Sequence, residues 1–183
     1  MALVNIQITG HRELEAKLDP KRVKRIRWSA INDAARSGRT LISRDVREVL
    51  AAPAYEIDKA IGFSRIGNGD DKGFGEVKVE RRPIPLKRFN PRQTKAGVSV
   101  IVRRDQGRRV VKGSFGPRID KLNGRVVKRV GKQVWPIKDL YGQTAASIAA
   151  NSPGLISRVS HRIAEQLRAR YLSKLGYELS KSS

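Results

Sequence analysis

Gly97-Val-Ser-Val-Ile-Val-Arg-Arg-Asp-Gln-Gly-Arg-Arg-Val-Val-Lys-Gly-Ser-Phe115 decides the fold of this 183-residue chain. Two runs rich in β-branched residues, Gly97 to Arg104 and Arg109 to Phe115, meet at a turn centred on Gln106-Gly107, as in an antiparallel hairpin. Similar short runs lie on either side, at Phe74 to Arg81, Ile84 to Phe89 and Arg125 to Val130, separated by Gly, Pro, Asn and Gln. Together they predict an antiparallel meander. An opening strand is expected over Leu3 to Thr9, where Val4, Ile6 and Ile8 alternate with polar residues.

The flanks read as helices. Asp19-Pro20 supplies an N-cap and a first-turn proline, after which Val23, Ile26, Ala30, Ile31, Ala34, Leu41, Ile42, Val46 and Val49 recur at helical spacing. The spacing predicts one long helix over residues 20 to 51, with Gly38 as its weak point. A short helix is expected after Pro53, then a strand near Phe63 to Ile66. Ser152-Pro153 opens a last helix in which Leu155, Val159, Ile163, Leu167, Tyr171 and Leu175 step by four, and Gly176 stands where a C-terminal cap belongs. The fold class is α+β: a long N-terminal helix and a C-terminal helix packed on an antiparallel β-sheet. A 39% apolar content is enough for one modest core. We therefore expect a single domain over residues 1–179 and a disordered tail over 180–183.

Charge bears on function. The chain carries 39 Lys and Arg against 17 Asp and Glu, a formal net charge of +22. Between Arg81 and Lys132 the only acids are Asp105 and Asp120. So basic a band, threaded through strands, calls for a polyanion or an acidic partner. Arg103, Arg104, Arg108 and Arg109 flank the Gln106-Gly107 turn, so the hairpin tip is expected to carry four guanidinium groups into solvent, where they suit phosphate oxygens. With Arg88, Arg92, Lys112, Arg125, Lys128 and Arg129 they are the candidate DNA-binding residues. Acidic neighbours in an assembly, or solubility alone, would also account for the band. Aromatic residues are 5% of the chain, and Phe89, Phe115 and Trp135 are expected in the core rather than as stacking platforms.

Other chemistry is poorly served. Without cysteine there is no disulfide, thiolate metal site or Cys nucleophile. No apolar run approaches the roughly 20 residues of a membrane helix, and the N-terminus lacks a signal-peptide pattern, so a cytoplasm-like compartment is expected. Asn68, Asp70, Lys72 and Gly73 partly match a calcium loop, but the fifth position is Lys72 and the twelfth is Val79; a solvated turn is the better reading. Asp70 or Asp71 with Glu76-Val77-Lys78 is reminiscent of metal-dependent nucleases, yet a solvent-facing strand also places Glu76, Lys78 and Glu80 on one face. His161 lies one turn before Glu165, as in a surface pair, and His11 has no telling neighbour. Gly131-Lys132-Gln133 lacks the rest of a P-loop. We expect no enzyme, cofactor or metal.

Several segments, in order, resemble one family: Ser29-Ala-Ile-Asn-Asp-Ala-Ala-Arg, Pro85-Leu-Lys-Arg-Phe, Lys95-Ala-Gly-Val-Ser-Val, Gly113-Ser-Phe, and Val127-Lys-Arg-Val-Gly-Lys-Gln-Val-Trp-Pro-Ile-Lys-Asp-Leu-Tyr-Gly. From about residue 20 to 145 the chain is similar to the minor tail protein Z family of long-tailed phages and prophages. The resemblance implies a non-enzymatic virion protein that completes the tail at its head-proximal end, where tail and head join. It implies a ring of six copies next to the tail terminator, the end of the tape measure protein, head-tail connector proteins and the entering phage genomic DNA, with assembly in the host cytoplasm and no membrane. Within it Ala30, Ala34 and Ala35 suit close helix packing, Gly97 opens a strand, and Trp135-Pro136-Ile137 closes the sheet. The chain departs from the family at Tyr141-Gly-Gln-Thr-Ala-Ala-Ser, where a Gly-Pro-rich stretch is usual. The rival reading is a free, sequence-nonspecific nucleic-acid-binding module; a third is a nuclease built on Asp71, Glu76 and Lys78.

Overall fold

The computed structural model describes residues 3–6, 12–66 and 75–181. His11, the 67–73 turn with Asp70 and Asp71, the end of the opening strand and the last two serines lie outside them. The helices are α1 (Arg12–Glu15), α2 (Pro20–Val49), α3 (Ala54–Ala60), α4 (Ala145–Asn151) and α5 (Leu155–Ser180). The strands are β1 (Leu3–Ile6), β2 (Ile61–Ser64), β3 (Gly75–Val79), β4 (Arg92–Thr94), β5 (Gly97–Val100), β6 (Arg109–Lys112), β7 (Ser114–Phe115), β8 (Val127–Arg129) and β9 (Ile137–Asp139). The chain is α+β, and every strand pairing is antiparallel. The expected single meander is three three-stranded sheets, ordered β1-β3-β2, β4-β5-β6 and β7-β8-β9. No helix among the described residues is long and apolar enough to cross a membrane.

Two compact units divide the chain. One contains residues 1–42, 61–79 and 152–183; the other contains 43–60 and 80–151. In the first, α2 starts where the sequence places it, because the Lys21 backbone N–H donates to Asp19 Oδ1 at 2.7 Å. Its inner stripe of Val23, Ile26, Ala30, Ile31, Ala34 and Ala35 is buried, as is every residue of the i, i+4 row from Leu155 to Leu175 on α5. Val77 and Val79 of β3 add the sheet's contribution. Asn32 fixes the chain after β2: its side chain donates to the Ile66 carbonyl at 3.0 Å and accepts from the Ile66 N–H at 2.9 Å.

Gly38 is not a weak point of α2 but a close-packing site. A Cβ there would stand 2.3 Å from Ile163 Cδ1 and 3.6 Å from Val77 Cγ2. The conformational cost of glycine is exchanged for the approach of a fully buried isoleucine. Gly176 is likewise no cap: α5 runs through it to Ser180, into the stretch expected to be disordered. Nothing approaches within 4 Å of a Gly176 Cβ, so the glycine neither ends the helix nor packs against it.

The second unit holds Leu50, Ile57, Ile84, Leu86, Phe89, Val98, Val100, Val126 and Val127 in its core, closed by the alanines of α4. Sequence reading misses α4, although Thr144 caps it by accepting from the Ser147 N–H at 3.1 Å. It also takes Ile84 to Phe89 for a strand. Pro83 and Pro85 remove two ladder donors, and the segment instead makes an isolated bridge from Pro85 to Tyr141 followed by a 3-10 turn over Leu86–Arg88.

Two consequences can be measured. Gly38→Ala should destabilise the fold by about 1 kcal/mol, because overpacking costs about 1–3 kcal/mol and the helix-propensity gain is at most about 1. Ile163→Val in the same chain should recover part of the loss in chemical denaturation; a stabilised Gly38→Ala would remove the close-packing assignment. The second concerns Tyr171, whose buried hydroxyl donates to Glu15, itself held by Arg27 Nε at 3.2 Å. Burial first, and the Glu15 hydrogen bond second, push this phenol up to about 12 from its ordinary 10.0. The folded state therefore keeps a proton that the unfolded chain gives up above the ordinary value, and stability falls as pH rises through that window. Tyr171→Phe should flatten this alkaline limb in denaturation curves.

Candidate nucleic-acid interface

The sheet β4-β5-β6 has two chemically distinct faces. Its register pairs Arg92 with Ser99 and Ser99 with Val110, and Thr94 with Gly97 and Gly97 with Lys112. Residues paired across antiparallel strands share a face, so Val98 and Val100 point to the core while Arg92, Thr94 and Lys112 lie on the other side, all three exposed. Gly97 opens β5 as expected, at φ 147°, where a Cβ would stand 2.2 Å from the Val111 carbonyl oxygen. Only glycine lets the two strands close so tightly.

The second sheet continues the cationic surface. Its register places Ser114 opposite Lys128 and Lys128 opposite Lys138, with Val127 buried on the opposite face. Both lysines are exposed. The stem of Lys128 passes over Gly113, the residue after Lys112, with its Cε 3.6 Å from where a Gly113 Cβ would stand. Ser114, itself buried, joins the two sheets: its hydroxyl accepts from the Val98 N–H at 3.0 Å and donates to the Val111 carbonyl at 2.6 Å. Lys112, Lys128 and Lys138 thus follow one another with no carboxylate partner among the described residues. Like charges directly opposite in a sheet oppose folding, so the Lys128–Lys138 pair is placed at the expense of stability.

The expected arginine tip is arranged differently. The turn is a 3-10 segment over Arg104–Gln106 ending at Gly107, and three of its four guanidinium groups are engaged within the chain. Arg103 donates to both oxygens of Asp105, at 2.9 and 2.7 Å. Arg104 Nε donates to the Arg47 carbonyl at 3.0 Å. Arg108 Nη1 reaches the carbonyls of Asn90 and Ser99 at 2.9 and 3.0 Å. Arg109 alone of the four has no such tie among the described residues. Hydrogen bonding from Arg103 holds the Asp105 carboxyl below its ordinary value, and Arg125 does the same for Asp139.

The remaining candidates divide in the same way. Arg88 pairs with Glu56 at 3.1 Å and lies over the Tyr55 ring. Arg125 pairs with Asp139, its Nε donating at 2.8 Å, and Arg129 covers the ring of Phe115. Arg92, Lys112 and Lys128 are left exposed, with no charged partner among the described residues. Sequence reading missed Lys138, and it misplaced Trp135: Phe89 is in the core, but Trp135 is 67% exposed. The signal for both was the run from Lys121 to Lys138, which contains no acid at all.

Elsewhere the chemistry is plain. Glu76 and Lys78, on the solvent side of β3, pair with each other at 2.9 Å, and His161 lies 3.3 Å from Glu165 as an exposed pair. Among the described residues no cluster of three His, Asp or Glu could hold a metal ion. Comparison of the chain with family models, curated proteins and solved structures gave no match.

The opposed lysines yield a stability test. Lys138→Glu replaces a repulsive cross-strand pair with an attractive one and should stabilise the second unit by about 0.2–1 kcal/mol. Thermal unfolding would measure it, and an unchanged or lowered Tm would contradict the register-based placement.

Proposed function

We propose that the chain is a non-enzymatic structural protein of a long-tailed phage or prophage particle, acting in tail completion where the tail meets the head, with its cationic sheet face against nucleic acid. The observation that carries the polyanion part is the set Lys112, Lys128 and Lys138, with Arg92 on the same face of the β4-β5-β6 sheet as Lys112, none of them paired with a carboxylate among the described residues. Structural charges are ordinarily balanced locally, as Arg125 and Asp139 balance each other here. A set left unbalanced at a cost in stability is explained by a ligand that supplies the missing charge. The tail assignment rests on the resemblance of the ordered segments from Ser29 to Gly142 to the minor tail protein Z family. Such a surface acts by placement and electrostatics: it grips phosphates without reading sequence, and it needs no bond-making group.

The salt dependence of duplex binding tests the surface. If three or four phosphates are neutralised, log affinity should fall against log salt with a slope of roughly 3 to 4. Replacing Lys112, Lys128 and Lys138 with Gln should remove most of that slope, whereas Arg103→Gln should change it little because that guanidinium is already spent on Asp105. Affinity that ignores salt would refute the polyanion role. The tail role is tested in the particle: deletion should leave filled heads and tails of normal length but few plaque-forming units per physical particle, and full infectivity would refute it.

A further inference from the structure

The β8–β9 hairpin ends in a feature that phosphate binding does not use. Arg129 pairs with Ile137, the Val130 N–H donates to the Pro136 carbonyl at 3.1 Å, and the five residues Gly131 to Trp135 form the tip. At this tip and its neck Val130 is 65% exposed, Val134 65% and Trp135 67%. They are the most closely spaced group of exposed large apolar side chains among the described residues. In sequence they are flanked by Lys128, Arg129, Lys132 and Lys138, with no acid from Lys121 to Lys138.

We propose that Trp135 is a stacking platform for an unpaired base, so that the chain binds single-stranded nucleic acid or a frayed end in preference to intact duplex. Charge complementarity selects the class of ligand, since an acid-free stretch with these four cations matches a phosphate backbone. The indole then selects the form. In a duplex the base faces are already stacked and an exposed indole meets only sugar and phosphate, which give it nothing. A single strand offers both partners at once: phosphates for the lysines and a free π-face for the ring, a combination common to sequence-tolerant single-strand binders. The tip is a poor membrane anchor by comparison, because its apolar part is three side chains at the end of a narrow hairpin.

The inference rests on the polyanion reading above, and the test separates the two. Binding of the full chain to a fluorescent oligo-dT of about 15 nucleotides and to a duplex of equal length is measured by anisotropy at low salt, beside pelleting with phosphatidylglycerol vesicles. The wild-type chain should favour the single strand. Trp135→Ala should weaken oligo-dT binding about tenfold, in the range expected for loss of one stacked base, and leave duplex binding unchanged. Trp135→Phe should keep most of the preference, which loss of folding would not permit. Equal effects of Trp135→Ala on both oligonucleotides, or none on either, overturn the stacking role while leaving the lysine row intact. Vesicle binding that Trp135→Ala abolishes, with oligonucleotide binding untouched, makes the tip a lipid contact and also overturns it. Failure of both oligonucleotides to bind the wild type removes the polyanion reading itself.

Discussion

Thirty-nine basic side chains must be accommodated with seventeen acids, and where those acids are spent organises much of the molecule. In the first unit Glu15 takes Arg27 and the buried Tyr171 hydroxyl, while Asp33 takes Lys174 at 2.8 Å. In the second, Asp58 accepts from Ser43 at 2.6 Å and pairs with Arg47, Glu56 holds Arg88, and Asp139 holds Arg125. These carboxylates stand at half-buried positions against helices and strand ends, where a lone guanidinium would be costly. Each pair is worth only tenths of a kcal/mol to about 1 when partly exposed. Their larger consequence is negative: these carboxylates are held away from Lys112, Lys128 and Lys138, which pair with no carboxylate among the described residues.

The fold was legible where periodicity is strong. The stripe of α5 was read residue by residue and that of α2 in most of its length, although Leu41 and Val49 are only half-buried while Leu50 is buried, because a helix with one buried face has to repeat at that spacing; β5 and β6 were read because β-branched residues flank a turn. What was not legible depends on contacts distant in sequence. Nothing local says that Gly38 faces Ile163, or that Gly176 should be passed over. Nor does a basic run say which of its members will find a carbonyl. Arg104 and Arg108 are held by oxygens contributed by residues 47, 90 and 99, which only the fold brings near. The sequence supports a basic surface; its uncommitted members are a property of the tertiary structure.

That sorting changes the kind of site the surface can be. An arginine cluster at a mobile tip would bind phosphate through forked hydrogen bonds with preferred geometry. The lysines are instead point charges on flexible stems, Lys128 and Lys138 set opposite each other on paired strands and Lys112 on the adjoining sheet. In the proposed reading such a set tolerates variation in phosphate position and gives up sequence information, as holding nucleic acid of any sequence requires.

In the proposed reading, charge and aromatic surface then divide the work by range. The lysine field reaches about 10 Å at moderate salt and governs capture. The indole of Trp135 acts only on contact, and its contribution survives salt that screens the lysines, because stacking is largely a matter of buried apolar surface. High salt should therefore weaken capture of duplex more than retention of an unpaired end. The two elements stand on the same pair of strands, Lys128 and Lys138 across the ladder and Trp135 at its tip. A strand that enters along the row is thus led toward the ring, and the short β8–β9 ladder converts nonspecific attraction into a preferred stopping point.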